Sequence, residues 1–543
     1  MSSHKNTLVL IVFSILFTLS GLSQKVNEDQ SIASYVRRAP FKMPEIIRPI
    51  FPDKSFSIAQ YGAIGNGQML NTVAFEKTIQ ACALAGGGKV VVPAGLWLTG
   101  PIQLKSNINL EVQRGALIIF TKDHSQYPII KGSNTSNNFV VASPIYAYDC
   151  KNIAITGEGI IDGGGESWRP VKKIKTTAAQ WKELNTTGVV NNDGSVWWPS
   201  KQAMDGEGYL KDLKQRLPKA TADDYLPARD FMRPYLCYLV NCENILIENV
   251  TIRNSPKFVF YPNYCTNIIM DHVNIFNEWW AQNGDGIDIS ASKNVIIYKC
   301  NVSVGDDGIC MKSSGGGTDR NIAMLQNIII AGCNVYHAHG GFVIGSNTDG
   351  GINNVFVSDC NFVGTDVGIR VKSNAGRGGL VHNIFIDKIF MRDIVNEAIL
   401  FDTYYEDVPA GKSRTVSKSI KEKTPEFMDF HLNEVYCNGA KTAIVITGLP
   451  EMPVHNIYFS NINISSLNGV VATDAGALDL KHVVINSAYE PVYQLRNVKG
   501  VNIEEGYFSP KGKIFVKGDN KTEAVKVSLS DKRDIKNAIL LDK

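Results

Sequence analysis

What the 543-residue sequence lacks narrows its function first. It has no excess of one charge: 55 Lys and Arg stand against 52 Asp and Glu, a net +3. That balance excludes a surface made to track nucleic acid or anionic lipid, which needs a basic stripe. Any grip on an acidic ligand must come from a local cluster of cations. Charge runs and low-complexity tracts are also missing, and 44% hydrophobic with 20% charged residues is a foldable globular composition. No apolar run is long enough to span a membrane. The longest, over residues 8–19, is shorter than the roughly 18–20 residues a span requires. With Lys5 before it and Ser20, Gly21, Ser23 and Gln24 after it, the run reads as a secretory signal peptide over residues 1–24. No Cys stands at the presumed cleavage point, which argues against lipid attachment. The protein is therefore expected to be secreted or periplasmic, with no membrane anchor and no nucleic-acid partner.

Cysteine, by contrast, is present ten times, and an oxidising compartment permits disulfides. Yet Cys242, Cys265, Cys300, Cys333 and Cys360 each lie close to a recurring phrase. A small apolar residue recurring at one place in a repeat marks a buried stack. Most of the ten are expected to be free thiols, leaving room for one or two bridges.

The recurring phrase is an Asn followed by alternating, mostly β-branched residues. It opens at Asn152, Asn244, Asn267, Asn294, Asn327, Asn354, Asn383 and Asn456. From Asn244 to Asn383 the steps are 23, 27, 33, 27 and 29 residues, each with two or three short strands between Gly, Asn and Asp turns. Steps of that size fit single coils of a parallel β-helix, stacked at about 4.8 Å. A sandwich or propeller would join its strands by closer hairpins. The expected class is all-β, a single-stranded parallel β-helix with an N-terminal helical cap. In the cap, Thr72 would start a helix with Phe75, Ile79 and Ala83 on its apolar face and Gly86 at its end. The expected layout is an N-terminal extension over 25–55, a catalytic β-helix over 56–510 and a C-terminal cap or tail over 511–543. Residues 163–233 interrupt the repeat with Trp168, Trp181, Trp197, Trp198 and a helix near 178–184. An insertion this long either walls a binding cleft or packs structurally.

Between residues 283 and 372 the chain carries Asn283-Gly284-Asp285-Gly286-Ile287-Asp288, Gly305-Asp306-Asp307-Gly308, His339-Gly340 and Arg370-Val371-Lys372. Asp285, Asp306, His339 and Arg370 are separated by 21, 33 and 31 residues, each near one coil, so they are expected to stack as a column. Packed carboxylates repel one another, which raises at least one pKa and keeps a proton available. An acid facing carboxylates that activate water is the machinery of glycoside hydrolysis. His339 would hydrogen-bond the acid. Arg370 and Lys372, two apart on a strand, would share a face and hold a substrate carboxylate, so the sugar should be acidic. Singly, Asp285, Asp288 and Asp307 read as turn formers, and His339, Arg370 or Lys372 as ordinary structural or solvated residues. Calcium would suit Asp-rich loops, but no Asp-x-Asp-x-Asp-Gly spacing occurs and neighbouring cations compete with a metal.

These motifs resemble those of glycoside hydrolase family 28, the polygalacturonase family. Asn283-Gly284-Asp285, Asp306-Asp307, His339-Gly340 and Arg370-Val371-Lys372 match its four motifs in order. Tyr61-Gly62-Ala63 and the stretch from Gly86 to Pro93 resemble its N-terminal phrases. The resemblance, over about 56–465, implies a right-handed β-helix and an inverting hydrolase without cofactor or metal. Its substrate would be an acidic plant polysaccharide, galacturonan or pectin. It implies Asp306 as general acid, Asp285 and Asp307 as activators of water, and His339 as support for the acid. Asn283, Arg370, Lys372 and Tyr405 would bind substrate, Tyr405 being preferred to its neighbour Tyr404. Gly284, Ala338 and Val371 depart from the usual pattern, but no charged group is lost. Because adjacent strand residues face opposite ways, Asp306 and Asp307 both serve only if a turn re-aims one.

Related rhamnogalacturonan hydrolases depart at the Arg-x-Lys segment, so its presence favours galacturonate at the cleavage site. The insertion suggests a cleft closed at one end, hence exo-action from the non-reducing end, and a solenoid with capped ends is expected to be a monomer. Rival readings are a rhamnogalacturonan or xylogalacturonan hydrolase, a calcium-dependent pectate lyase on the same fold, and a non-catalytic adhesive β-helix.

Overall fold

Most of the coils set their register with an Asn in the left-handed conformation. Asn107, Asn152, Asn244, Asn267, Asn294, Asn327 and Asn354 have φ between 54° and 63°, a region Asn tolerates because its short amide bonds locally. From Asn152 to Asn354 every Nδ2 donates to the Oδ1 of the Asn one coil earlier, at 2.9–3.1 Å. Aliphatic residues follow in step: Ile153, Ile245, Ile268, Val295, Ile328, Val355 and Ile384 stand in register, each on the next. All seven are buried, and burying one such side chain contributes about 1.5–3 kcal/mol. Asn274, Asn301, Asn334 and Asn361 form a second, shorter ladder in the same manner.

These rungs belong to a computed structural model that describes residues 31–132, 139–216, 219–314, 323–405, 419–420 and 422–542. The expected signal peptide lies outside the described residues. Two units are distinguished: an N-terminal one ending at Arg38, whose described part is the helix Ile32–Arg38, and a body from Ala39 onward.

The body is a parallel β-helix with three faces. The front face stacks Ile145–Tyr148, Cys237–Val240, Phe260–Asn263, Ile287–Ser290, Asp307–Lys312, Gly340–Ile344, Ile369–Lys372 and Glu397–Asp402. The back face carries the long Asn ladder. A side face stacks Ile160–Asp162, Thr251–Arg253, Asn274–Phe276, Asn301–Ser303 and Asn334–Tyr336. Pairing on the front face continues through Tyr493, Val516 and Ile539.

At the N-terminal end the helix Thr72–Leu84 buries Phe75, Ile79 and Cys82 in the core, with Ala83 only partly covered. Thr72 does not cap it. Asn71 holds that position, and the Thr72 hydroxyl instead accepts from the Gly100 N–H at 2.7 Å. Asn71 is drawn away from capping because its amide ties Ile64, Met69 and Leu98 together. All ten Cys are free and buried, so the one or two bridges allowed from the sequence do not form. Several of the thiols face backbone carbonyls, as Cys242 does Val240 at 3.3 Å and Cys360 does Ser358 at 3.3 Å.

The insertion builds its own small layer. Val171–Lys172, Val189–Val190 and Val196–Trp198 form an antiparallel sheet. Thr177 and Gln180 make a capping box for the expected helix, Ala178–Leu184. A second helix, Lys201–Arg216, was not foreseen: Gly206 and Gly208 interrupt its pattern, and a strongly polar surface hides its periodicity. Trp168 is fully buried, stacked on His124 at 3.5 Å. Among the described residues no helix is long and apolar enough to cross a membrane.

Candidate active site

Polar residues displace aliphatic ones where the chain turns from the side face into the front face. In successive coils this corner spans residues 254–259, 277–286, 304–306, 337–339 and 364–368. Asp285, Asp306 and His339 lie in it. Asp307 begins the strand Asp307–Lys312, so the turn ends between the two adjacent Asp residues and aims both into one space. The Asp307 N–H donates to Asp306 Oδ1 at 3.1 Å, and the next coil closes over the turn as the His339 N–H meets the Asp306 carbonyl at 2.8 Å.

The expected single column is in fact two rows. Asp307 pairs with Gly340 in the turn row, and the Gly286 N–H beside Asp285 donates to the Asp307 carbonyl at 2.9 Å. Arg370 pairs with Val343, Val343 with Cys310, and Cys310 with Asp288. Arg370 therefore stands further along the strand than Asp307. The 31-residue interval from His339 overshot because that coil steps by 27 residues, from Val343 to Arg370.

The three carboxylates gather: oxygens of Asp285, Asp306 and Asp307 all lie within 4.8 Å of one another. They differ in exposure, Asp285 and Asp307 being buried while the Asp306 side chain keeps 19% of its surface open. Burial pushes the Asp285 carboxyl well above its ordinary range, against the pull of Lys312, and neighbouring Asp charges add to the rise. Its Oδ1 is enclosed without a hydrogen-bond partner. Burial also opposes the Asp306 charge, but the His339 hydrogen bond, Nδ1 to Oδ1 at 3.0 Å, leads the forces that hold this carboxyl below its ordinary value. Asp307 accepts from Lys372 Nζ at 2.7 Å and lies 3.3 Å from Arg370 Nη1. These cations outweigh its burial and keep it far below the carboxylate range. The raised carboxyl of the trio is thus Asp285, with burial rather than mutual repulsion as the leading cause.

Lys312 and Lys175 are cations beside the carboxylates that the sequence did not announce. Lys312, at the end of its strand, bonds Asp285 Oδ2 at 3.0 Å and also Asp288. Burial raises the Asp288 carboxyl to about 6 in spite of that partner. Nothing in Gly308-Ile309-Cys310-Met311-Lys312 signals chemistry, since a lone Lys after an apolar run reads as a strand end. Lys175 comes from the insertion. Its ammonium donates to the Trp279 and Gly305 carbonyls at 3.2 and 3.3 Å and reaches His339 Nε2 at 3.4 Å. An ammonium only donates, so this contact places the imidazole proton on Nδ1, facing Asp306. Asp366 lies 3.8 Å from the same Nε2. Burial lowers the Lys175 pKa, against the attraction of Asp306 and Asp366.

Of the substrate-binding expectations, Arg370, Lys372 and Tyr405 come together. The Tyr405 ring lies 5.6 Å from the Arg370 guanidinium and 4.8 Å from the Lys372 amine, whereas Tyr404 is buried. Asn283 points elsewhere, its Oδ1 accepting from Arg233 at 2.9 Å. Arg233 closes the insertion, and Arg169 near its start bonds the Ser255 carbonyl, Asn254 and Glu278 at 2.8, 3.1 and 2.6 Å. Both ends of the inserted segment are thereby pinned beside the carboxylates.

The family model for glycosyl hydrolases family 28 matches residues 171–477, more than half of the chain. The chain belongs to that family. This family 28 glycoside hydrolase is 29% identical over 476 residues to an exo-poly-alpha-D-galacturonosidase of Dickeya chrysanthemi, covering 84% of this chain and 75% of that protein. It is 26% identical to a probable polygalacturonase of Vitis vinifera, over 76% and 74% of the two chains. Among solved structures it is similar to the hyperthermoactive exopolygalacturonase of Thermotoga maritima, with a TM-score of 0.64 and 28% identity over 78% of this chain and 89% of that one. The family 28 exopolygalacturonase of Yersinia enterocolitica shares the fold, with a TM-score of 0.65 and 22% identity over 84% and 79%.

Proposed function

We propose that this hydrolase cleaves α-1,4-galacturonosidic bonds of galacturonan with inversion, releasing units from the chain end. One observation carries the reading. A half-open carboxylate on His339 faces two buried carboxylates, with Arg370, Lys372 and Tyr405 alongside to take a uronate carboxylate. Asp306, the accessible member, protonates the leaving oxygen, while Asp307, held ionised by its cations, takes the proton of the attacking water and Asp285 helps to orient that water. The His339 hydrogen bond leads the forces that hold Asp306 ionised. A uronate carboxylate settling on Arg370 and Lys372 adds negative charge and draws those cations from Asp307. Both effects raise Asp306 toward the protonated form its role requires.

The 4.8 Å clustering is tighter than the roughly 6.5–9.5 Å usual for inverting pairs, so inversion rests on the family resemblance. Chain-end action is supported by the pinned insertion and by the similarity to the Dickeya and Thermotoga exo-enzymes. A setting outside the cytoplasm suits the signal peptide expected at 1–24, and burial of all ten thiols protects them there. Every group named comes from one chain, so a monomer suffices.

The test is digestion of polygalacturonate in the presence of a chelator, following reducing ends and the ultraviolet absorbance of unsaturated products together. Reducing ends without that absorbance are expected. Absorbance lost to the chelator would mean a lyase, and a ladder of internal fragments at early times would mean endo-action. NMR of the first product should show the inverted anomer. No product on polygalacturonate but cleavage of rhamnogalacturonan or xylose-substituted galacturonan would move the substrate within the family.

A further inference from the structure

Beside the carboxylates, on the N-terminal side, is a cavity of about 450 Å³ that the roles above do not use. The inserted segment contributes Leu210, Phe231, Arg233 and Tyr235 to it, and the corners of two coils contribute Lys257 and Asn283. Lys257 sits in the same corner as Asp285, one coil earlier. Its amine lies 5.0 Å from the Tyr235 ring centre and 5.5 Å from that of Phe258. Among the described residues it has no carboxylate or carbonyl partner. The charges facing it are Arg233, Lys312, Asp285 and Asp288. Both carboxylates are engaged by Lys312, and Arg233 is committed to the Gln282 carbonyl and Asn283 at 2.8 and 2.9 Å. Removal from water lowers the Lys257 pKa to about 8. A half-buried cation held against two aromatic faces, next to a second cation and facing a cavity, is placed to take an anion.

We propose that this cavity receives the chain-terminal uronate of the substrate and that Lys257 reads its carboxylate. Lys257 and Arg370 flank the carboxylate trio from opposite ends of the cleft. Their strands are four coil steps apart on the front face, about 19 Å at roughly 4.8 Å per step. The released end and the retained chain then each have a cation for an acid group: Lys257 on the insertion side, Arg370 with Lys372 on the far side. The Tyr235 ring offers the flat apolar surface a pyranose face stacks on. This assignment rests on the galacturonan reading and adds a requirement to it, that the terminal unit be unesterified.

The test is kcat/KM on a galacturonate tetramer and on the same tetramer methyl-esterified only at its non-reducing end, for the wild type, Lys257→Met and Lys257→Arg. Wild type should prefer the free acid by about 30- to 100-fold. Lys257→Met should lose that preference by falling on the free acid while holding its rate on the ester, and Lys257→Arg should restore much of it. A Lys257→Met enzyme that keeps wild-type discrimination, with an unchanged melting temperature, overturns the assignment. So does a wild type that cleaves both tetramers equally. A wild type that cleaves neither, yet cleaves another pectic polymer, overturns the galacturonan reading on which the assignment stands.

Discussion

The back and front faces are built on the same coils with opposite logic. On the back face, coil after coil repeats one residue in one conformation, and the Asn amides from Asn107 to Asn354 form a single hydrogen-bonded line. On the front face and the corner leading into it, the charged residue changes along the stack: Lys257, Asp285, Asp306 with Asp307, His339 and Arg370 succeed one another. Repetition on one side fixes register, and that register allows the other side to vary without losing alignment. Like residues stacked in a solenoid thus speak of stability, and unlike charged residues stacked beside them speak of chemistry.

Replacement of Asp306 by Asn should break this comparison on the chemical side alone. A loss of about 10²–10⁴ in kcat is expected, measured as reducing ends released from galacturonan, with the thermal midpoint unchanged. Lys312→Met tests whether any front-face residue also carries stability. It would leave Asp285 and Asp288 buried without their cation, for a loss of about 3–5 kcal/mol in denaturant unfolding. Adding Asp288→Asn to that variant should return part of the loss. Asn294→Ala, which cuts two ladder bonds and puts Ala in a left-handed turn, should cost about 1–3 kcal/mol. Its kcat should stay at the wild-type value. The smallest effects concern pH. If substrate raises Asp306, the alkaline limb of kcat lies above that of kcat/KM, because the acid stays protonated to higher pH in the complex. Lys175→Met removes a cation that favours ionised Asp306. The alkaline limb of kcat/KM should therefore shift upward, by less than one pH unit.

The parts legible from the sequence are those in which the coil repeat and a turn residue coincide. Asp285, Asp306 and His339 stand in Gly-flanked corners roughly one coil apart, so counting residues brought them together. The Asn phrase announced the strands, although its left-handed turn and amide ladder follow from local hydrogen bonding that a pattern of residue types does not display. Lys312 was hidden because its partners are set by strand register. Lys175 and Arg233 were hidden because an insertion has no fixed spacing to the coils it returns to, and Lys257 because a lone Lys in a coil corner reads as a solvated turn residue. Thr72 was misread as a cap because Asn71, one residue earlier, holds the cap position while binding the loop before it.

The inserted segment leaves a side-face strand at Asp162 and rejoins the front face at Cys237. It therefore departs and returns at the corner that holds the carboxylates. Chain added there lengthens one bend and leaves the pairing above and below in phase. On the chain-end reading, the length of that bend sets how far the substrate can enter, independently of the cutting groups. Trimming it back to a short corner would then open the cleft and move cleavage away from the polymer's end, with the cutting groups themselves untouched.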